Sequence, residues 1–330
     1  MGDLVKGMVE PLAKRWTASM SGPLLLLWLS GALIHLHQRG GPGHACAKPG
    51  YLARAGCQVA KQGAPGAVVL TAALAAAVLL SGVALSAVAS PVLEVLAGRW
   101  GTSAPVVAYA RHRTARHARR RAVLDARSRA AAAPARYGPQ AQVTWQAQSA
   151  WRRDRALRSW SHYPRRAADL RPTSVGNALV GVCEQIRRDY GFELPVCWGP
   201  FVECLDTAAR DRLMASATRV LGRTQALICA VAAAGWGLLL PGLVAKSLWV
   251  ALCAVCAWGA NRALRSGTEA YCAHVCDAFA VHRIRLYRAT GIEPPATTTD
   301  EPRSGKVLTD ALAMRLAPGE SRPFRWPDTP

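Results

Sequence analysis

The chain has 330 residues, with 41 basic side chains against 20 acidic ones and a formal net charge of +21. Charge alone points to a nucleic-acid partner, but 51% of the residues are hydrophobic and they gather into long uncharged runs, which excludes an ordinary soluble basic domain. No P-loop, dinucleotide glycine motif, G-x-S-x-G or H-E-x-x-H occurs, so the common nucleotide, hydrolase and metalloprotease classes have no footing.

In chain order, residues 1–15 form a short leader carrying Lys6, Lys14 and Arg15. Between Arg15 and Arg39 lie 23 uncharged residues, including GPLLLLWLSGALIHL. About 20 apolar residues cross the hydrocarbon core, so 16–38 is read as a first transmembrane helix. It is expected to stay uncleaved. ACA at 45–47 lies well beyond the apolar run, and RAGC at 54–57 puts Arg54 where a lipoprotein box wants an aliphatic residue. The loop 39–64 is read as extracytoplasmic, where oxidation is permitted, so Cys46 and Cys57 are expected to form a disulfide. His35, His37 and His44 would add a metal alternative, but their spacing does not make them converge.

The second run encloses 32 uncharged residues between Lys61 and Glu94 and gives a second span at 65–90. Pro91 follows it, and VLEVLAGRW continues from there as a helix start. Residues 91–166 are a basic juxtamembrane region, with 16 arginines from 99 to 166 against only Asp125 and Asp154. The densest part, RHRTARHARRRAVLDARSRA, carries Arg111, Arg113, Arg116, Arg119, Arg120, Arg121, Arg127 and Arg129, the candidate lipid or phosphate contacts. Its alanine and arginine content predicts a helix over 104–133, broken by AAAPARYGPQ. A further helix is expected over 141–160, where Trp145, Trp151 and Trp160 interrupt the basic side chains.

Residues 167–223 hold seven arginines and seven acids and read as a charge-balanced, helical folded region. In RPTSVGNALVGVCEQIRRDYG, Thr173 or Ser174 supplies an N-cap, Val175, Leu179, Val182, Cys183 and Ile186 form one apolar face, and Gly191 stops the helix. FELPVCWGPFVECL is the one strand-like stretch, reduced by its two prolines to a loop or short edge. From Asp206 a helix is expected to run into a third span at 224–244, within 22 uncharged residues. PGLVAK turns the chain into a fourth span at 247–265. Its 15 uncharged residues are short for a bilayer unless Lys246 and Arg262 snorkel. A cytoplasmic helix follows over 266–292, with Tyr271, Val275, Phe279, Leu286 and Tyr287 on one side, and 293–330 is read as a flexible tail.

The expected fold is therefore an all-α membrane protein with four transmembrane helices as two hairpins. A mostly helical cytoplasmic domain is formed partly by helix extensions. Of the basic residues, 36 lie in the leader, centre and tail and five in the two short loops, which places both termini in the cytoplasm of a bacterial plasma membrane. No Asp, Glu, Lys or Arg lies inside the spans except at their ends, which disfavours an ion-coupled transporter. Cys253 and Cys256, inside the fourth span, read as small packing residues. Cys272 and Cys276 share a helix face and could meet Cys183, Cys197 or Cys204 around zinc, with core packing the default.

LRPTSVGNALVGVCEQIRRDYGFELPVCW and VLAGRW resemble segments of a family of uncharacterised actinobacterial multi-pass integral membrane proteins. That family has a Pro-Thr-x-x-Gly-Asn helix start, then Tyr-Gly and a Trp, between two transmembrane hairpins. Its juxtamembrane element reads Leu-Leu-Glu-Gly-Tyr-Trp, where this chain has Ala97 in place of the acid and Arg99 in place of the tyrosine. The resemblance implies two hairpins around a cytoplasmic segment and carries no activity. Pro172, Thr173, Gly176 and Asn177 are read as helix-start residues. The functional expectation is a non-catalytic membrane scaffold or sensor without cofactor or metal. Its basic region contacts anionic lipid headgroups, at roughly 1 kcal/mol per residue engaged, and a soluble cytoplasmic protein partner. A membrane-anchored nucleic-acid or nucleotide binder is the alternative, a channel or transporter the third reading, and a homo-oligomer is left open.

Overall fold

The computed structural model describes residues 21–38, 64–132 and 163–314. Among the described residues the chain is all-helical, with no strand. The α-helices are α1 (Ser21–Gln38), α2 (Ala64–Leu96), α3 (Ala104–Ala132), α4 (Ser174–Tyr190), α5 (Leu194–Glu203), α6 (Thr207–Ala233), α7 (Leu243–Ala289) and α8 (Glu301–Leu312). They fall into two compact units: one draws on residues 21–92 and 218–264, the other on 93–217 and 265–314.

The first unit is apolar. Two helices are long and apolar enough to cross a membrane: α2 over Val78–Leu96, and α7. Only 17% of the apolar window of α2 and 6% of that of α7 is buried among the described residues, so both windows are largely exposed. Leu79, Leu80, Val83, Leu248, Val255 and Trp258 all point outward. Exposed apolar helix faces of this kind mark a membrane or protein contact. The apolar part of α1, Gly22–Ile34, is shorter than a span.

Two details of the expected spans change. Helix α2 does not stop at Pro91 but runs through it to Leu96. The proline removes one backbone bond, but the ladder on either side of it continues to Leu96. The third expected span, 224–244, is not one helix. Helix α6 ends at Ala233, a 3-10 turn follows over Ala234–Leu239, and Gly242, at φ 76°, turns the chain into α7. Gly235 and Gly237 weaken the helix here and Pro241 bars its continuation.

Tryptophans bond to carbonyls at this break and in α1. Trp249 Nε1 donates to the Ala233 carbonyl at 2.8 Å, and Trp236 Nε1 donates to the Leu27 carbonyl at 3.2 Å. Trp236 also lies 6.2 Å from the Trp28 ring, and Trp28 donates to Ser81 Oγ at 3.2 Å. Gly31 makes this packing fit, since a Cβ there would stand 2.7 Å from the Trp236 ring.

The second unit is an ordinary helical core. FELPVCWGPFVECL, expected as a loop or edge, forms α5. Pro195 sits in the first turn, where a missing N–H costs nothing, and Leu194, Cys197, Trp198 and Phe201 repeat at helical spacing and are buried. Phe201 stacks on Phe279 of α7 at 3.8 Å between centroids.

The expected flexible tail from 293 also folds in part. Residues Glu301–Leu312 form α8, packed on α4 and α5 with Leu308 and Thr309 fully buried. Thr309 Oγ1 accepts from the Glu193 N–H at 3.2 Å, and Glu301 pairs with Arg283, whose guanidinium lies 4.6 Å from the centre of the Tyr190 ring. The approach is backbone to backbone: a Cβ on Gly305 would stand 1.9 Å from the Tyr190 carbonyl oxygen, and one on Gly191 1.9 Å from that of Pro302.

Gly305→Val should therefore lower stability by roughly 1–3 kcal/mol or more, as overpacking does, and expose α8 to trypsin at Arg303 and Lys306. Gly222→Ala is the control: it lies inside α6 and a Cβ there meets nothing within 4 Å, so its melting temperature should match or exceed that of the unaltered chain.

Candidate functional site

The two motifs that stand out in the sequence, VLAGRW and RPTSVGN, meet in space. The end of α2 leaves carbonyls without helical partners. Gly98, at φ 86°, reverses the chain there. The Thr173 hydroxyl donates to the Leu96 carbonyl and accepts from the Gly176 N–H at 2.9 Å, so it caps the start of α4 and the end of α2 together. Gly176 must be glycine, because a Cβ would stand 2.4 Å from the Ala97 carbonyl oxygen. Asn177, only 1% exposed, satisfies every polar atom it carries. Its Oδ1 accepts from Arg171 N–H at 2.8 Å, and its Nδ2 donates to the Arg171 and Thr173 carbonyls at 2.9 and 2.8 Å. Pro172, Thr173, Gly176 and Asn177 are thus a structural joint.

That joint anchors the basic helix. His117 of α3 is buried, its Nδ1 lies 3.1 Å from the Tyr163 hydroxyl, and a ring N–H bonds to the Pro172 carbonyl. Burial, then the positive charges of Arg113, Arg120 and Arg265, lower its pKa from 6.5 to about 4, so at neutral pH His117 is uncharged. Burial likewise raises the pKa of the Tyr163 hydroxyl, which stays protonated and able to donate to His117. Arg121 donates to the Arg165 carbonyl, and the Arg165 N–H donates to Glu184 Oε2 at 2.7 Å. The segment leading to Pro172 is therefore held to both α3 and α4.

At the start of α3, Trp100 stacks on Tyr109 at 5.4 Å and donates from Nε1 to the Val95 carbonyl at 2.8 Å. With Val95, Pro105 and Val106 they line a shallow apolar groove of about 450 Å³.

The arginines of α3 divide by face. Arg111, Arg116, Arg119 and Arg120 are exposed, whereas Arg113 and Arg121 are half-buried toward the His117 side. The side chains of His35, His37, Arg127 and Arg129 lie outside the described residues, as do His44, Cys46 and Cys57 and the expected 141–160 helix with Trp145, Trp151 and Trp160.

The zinc alternative finds no support: among the described residues no group of three or more His, Cys, Asp or Glu is placed to hold a metal ion. Cys183 and Cys276, pushed up to about 12 and about 11, remain protonated because burial opposes the thiolate. Cys272 is raised well above the ordinary thiol value by the same cause. Cys197 is occupied elsewhere, 3.5 Å from Thr309 Oγ1.

Sequence reasoning missed Tyr163 and Arg265 as neighbours of the basic helix, and it counted His117 with the surface charges. The usable signal was weak: Ala110, Thr114, His117, Arg121 and Leu124 repeat at helical spacing, but too few of them are apolar to show as a buried stripe. No protein-family model, curated protein or solved structure matches the chain.

Asn177→Ala should destabilise the helical unit by on the order of 3 kcal/mol, since it strands buried backbone partners, while Thr173→Ser should stay near the unaltered stability. Chemical denaturation checks both. Between pH 6.5 and about 4 the unfolded chain binds a proton at His117 that the folded chain refuses. Stability therefore rises with pH across that window and falls on acidification. The melting temperature in chloride buffer should drop over this range, and His117→Gln should flatten the drop.

Proposed function

We propose that the chain is a four-span integral protein of the bacterial plasma membrane. It acts without catalysis as a scaffold or sensor, with both termini cytoplasmic. The spans are 16–38, 65–90, 224–244 and 247–265, the third formed by the end of α6 and the 3-10 turn. The basic region lies against anionic lipid headgroups, and the helical unit contacts a soluble cytoplasmic protein. The resemblance to the actinobacterial membrane family is part of this reading.

The observation that carries it is the outward face of α3. Arg111, Arg116 and Arg119 are all exposed, and the helix begins eight residues beyond the apolar α2. Trp100 and Tyr109, stacked beside the first turn, suit a headgroup depth where aromatic rings gather. Each arginine near an anionic surface contributes about 1 kcal/mol, so three suffice for a firm contact without a dedicated binding fold. The outward apolar belts of α2 and α7 support membrane insertion, and the excess of 36 basic residues over five supports the orientation.

The full chain in nanodiscs tests the lipid contact. Replacing phosphatidylcholine by phosphatidylglycerol should raise the melting temperature, and added salt should shrink the gain, since exposed charges are screened over roughly 10 Å at ordinary ionic strength. The triple variant R111Q/R116Q/R119Q should lose most of the gain. Equal stability in both lipids rejects the contact. Tight, steeply salt-dependent binding of single-stranded nucleic acid by the same face would put the nucleic-acid alternative in its place.

A further inference from the structure

The apolar side of α2 does not end with the helix. Leu80, Ala84, Val88, Pro91 and Val95 are all exposed and stand three or four residues apart, so they form one outward stripe. Val95, its last member, is also a wall of the groove that Trp100, Gly101, Pro105, Val106 and Tyr109 complete. Stripe and groove are therefore continuous through one side chain.

The groove suits a hydrocarbon chain. Its volume, about 450 Å³, lies within the range of small-molecule sites, about 300–1,000 Å³. No charged side chain lines it. Trp100 commits its Nε1–H to the Val95 carbonyl at 2.8 Å, so its ring offers carbon rather than a donor. Tyr109 stacks on that ring at 5.4 Å, with 10° between the planes, and the pair makes a flat wall. Tyr109 is nevertheless 56% exposed and Val95 51%, so much of this apolar surface faces outward. A nucleotide or a peptide would lose its hydration here for few polar partners, whereas an alkyl chain has none to lose. Arg99, 3.6 Å from Glu94, and Arg111 flank the lining residues in sequence and are both exposed, which supplies positive charge for a lipid phosphate.

We propose that the groove docks one acyl chain of a membrane phospholipid, drawn from the lipid against the outward stripe of α2, a site that rests on the reading of α2 as a transmembrane span. The docked chain packs on the Trp100–Tyr109 wall. It holds the first turn of α3 at the bilayer surface, from which Arg111, Arg116 and Arg119 reach the headgroups.

The test uses the full chain in nanodiscs, with phosphatidylglycerol carrying a diazirine midway along one acyl chain as the probe. After irradiation, trypsin releases residues 62–99, which hold the stripe, and 100–111, which hold the groove from Trp100 to Tyr109. Both peptides should carry lipid. A position at headgroup depth alone would leave 100–111 unlabelled, because the diazirine lies among the chains. Gly101→Leu fills the groove at a position where a Cβ meets nothing within 4 Å, and Val106→Asp puts a carboxylate in its lining. Each should lose most of the label on 100–111 and keep it on 62–99.

In the unaltered chain, label on 62–99 without label on 100–111 overturns the groove and leaves the span standing. No label on either peptide overturns the span and the groove with it. Label on 100–111 undiminished in both variants overturns a defined site. Benzoylphenylalanine in place of Tyr109 should capture lipid on irradiation, and capture of a second copy of the chain or of another protein instead would overturn the lipid as occupant.

Discussion

Two helix ends satisfying each other hold the described helical unit together. The carbonyls at the end of α2 lack helical partners, as do the N–H groups at the start of α4, and burying either set alone would be costly. Thr173 bridges them with one hydroxyl, and Gly176 lets the Ala97 carbonyl come close enough for contact. The negative end of one helix dipole faces the positive end of the next, which adds a favourable electrostatic contribution. Asn177 then fixes the backbone of Arg171 and Thr173, and Pro172 offers its carbonyl to His117. The position of the basic helix therefore follows from a joint that contains no charge of its own.

This joint gives α3 two unlike faces. Turned outward, its arginines keep their full charge in solvent, where a lipid surface can meet them. Turned inward, the same residue type is partly desolvated and lies beside a neutral histidine. One sequence of dense arginine thus meets two environments, open solvent on one face and the packed side of His117 on the other. Net charge alone cannot distinguish the two, because they differ only in which helical positions the Pro172 turn covers.

Some of this was legible in the residues. Thr173, Gly191 and Asp206 act at the helix boundaries their types suggest: Thr173 caps α4, Gly191 ends it at φ 79°, and Asp206 accepts from the Ala209 N–H at 2.7 Å. The apolar character of α2 and α7 was plain from run length. Prolines misled in both directions. Pro91 looked like a stop but lies within α2, at the cost of one backbone bond; Pro195 and Pro200 suggested a loop but sit in α5, whose buried face repeats at Leu194, Cys197, Trp198 and Phe201. Helix α8 was hidden for a different reason. Its hold on the fold comes from Gly305, Thr309 and Glu301, residue types that read as linker until the backbone of Tyr190 and the guanidinium of Arg283 are beside them. Arg265 and Tyr163 are far from α3 in sequence, and no local pattern announces their meeting.

The proposed arrangement commits the exposed arginines of α3 to the cytoplasmic face. Trypsin added to sealed membrane vesicles of the host bacterium tests that commitment most directly. In inside-out vesicles the chain should be membrane-bound and cleaved within residues 111–121, while in right-side-out vesicles the same bonds should be protected. Cleavage there in right-side-out vesicles, or recovery of the intact chain in the soluble fraction, would contradict it.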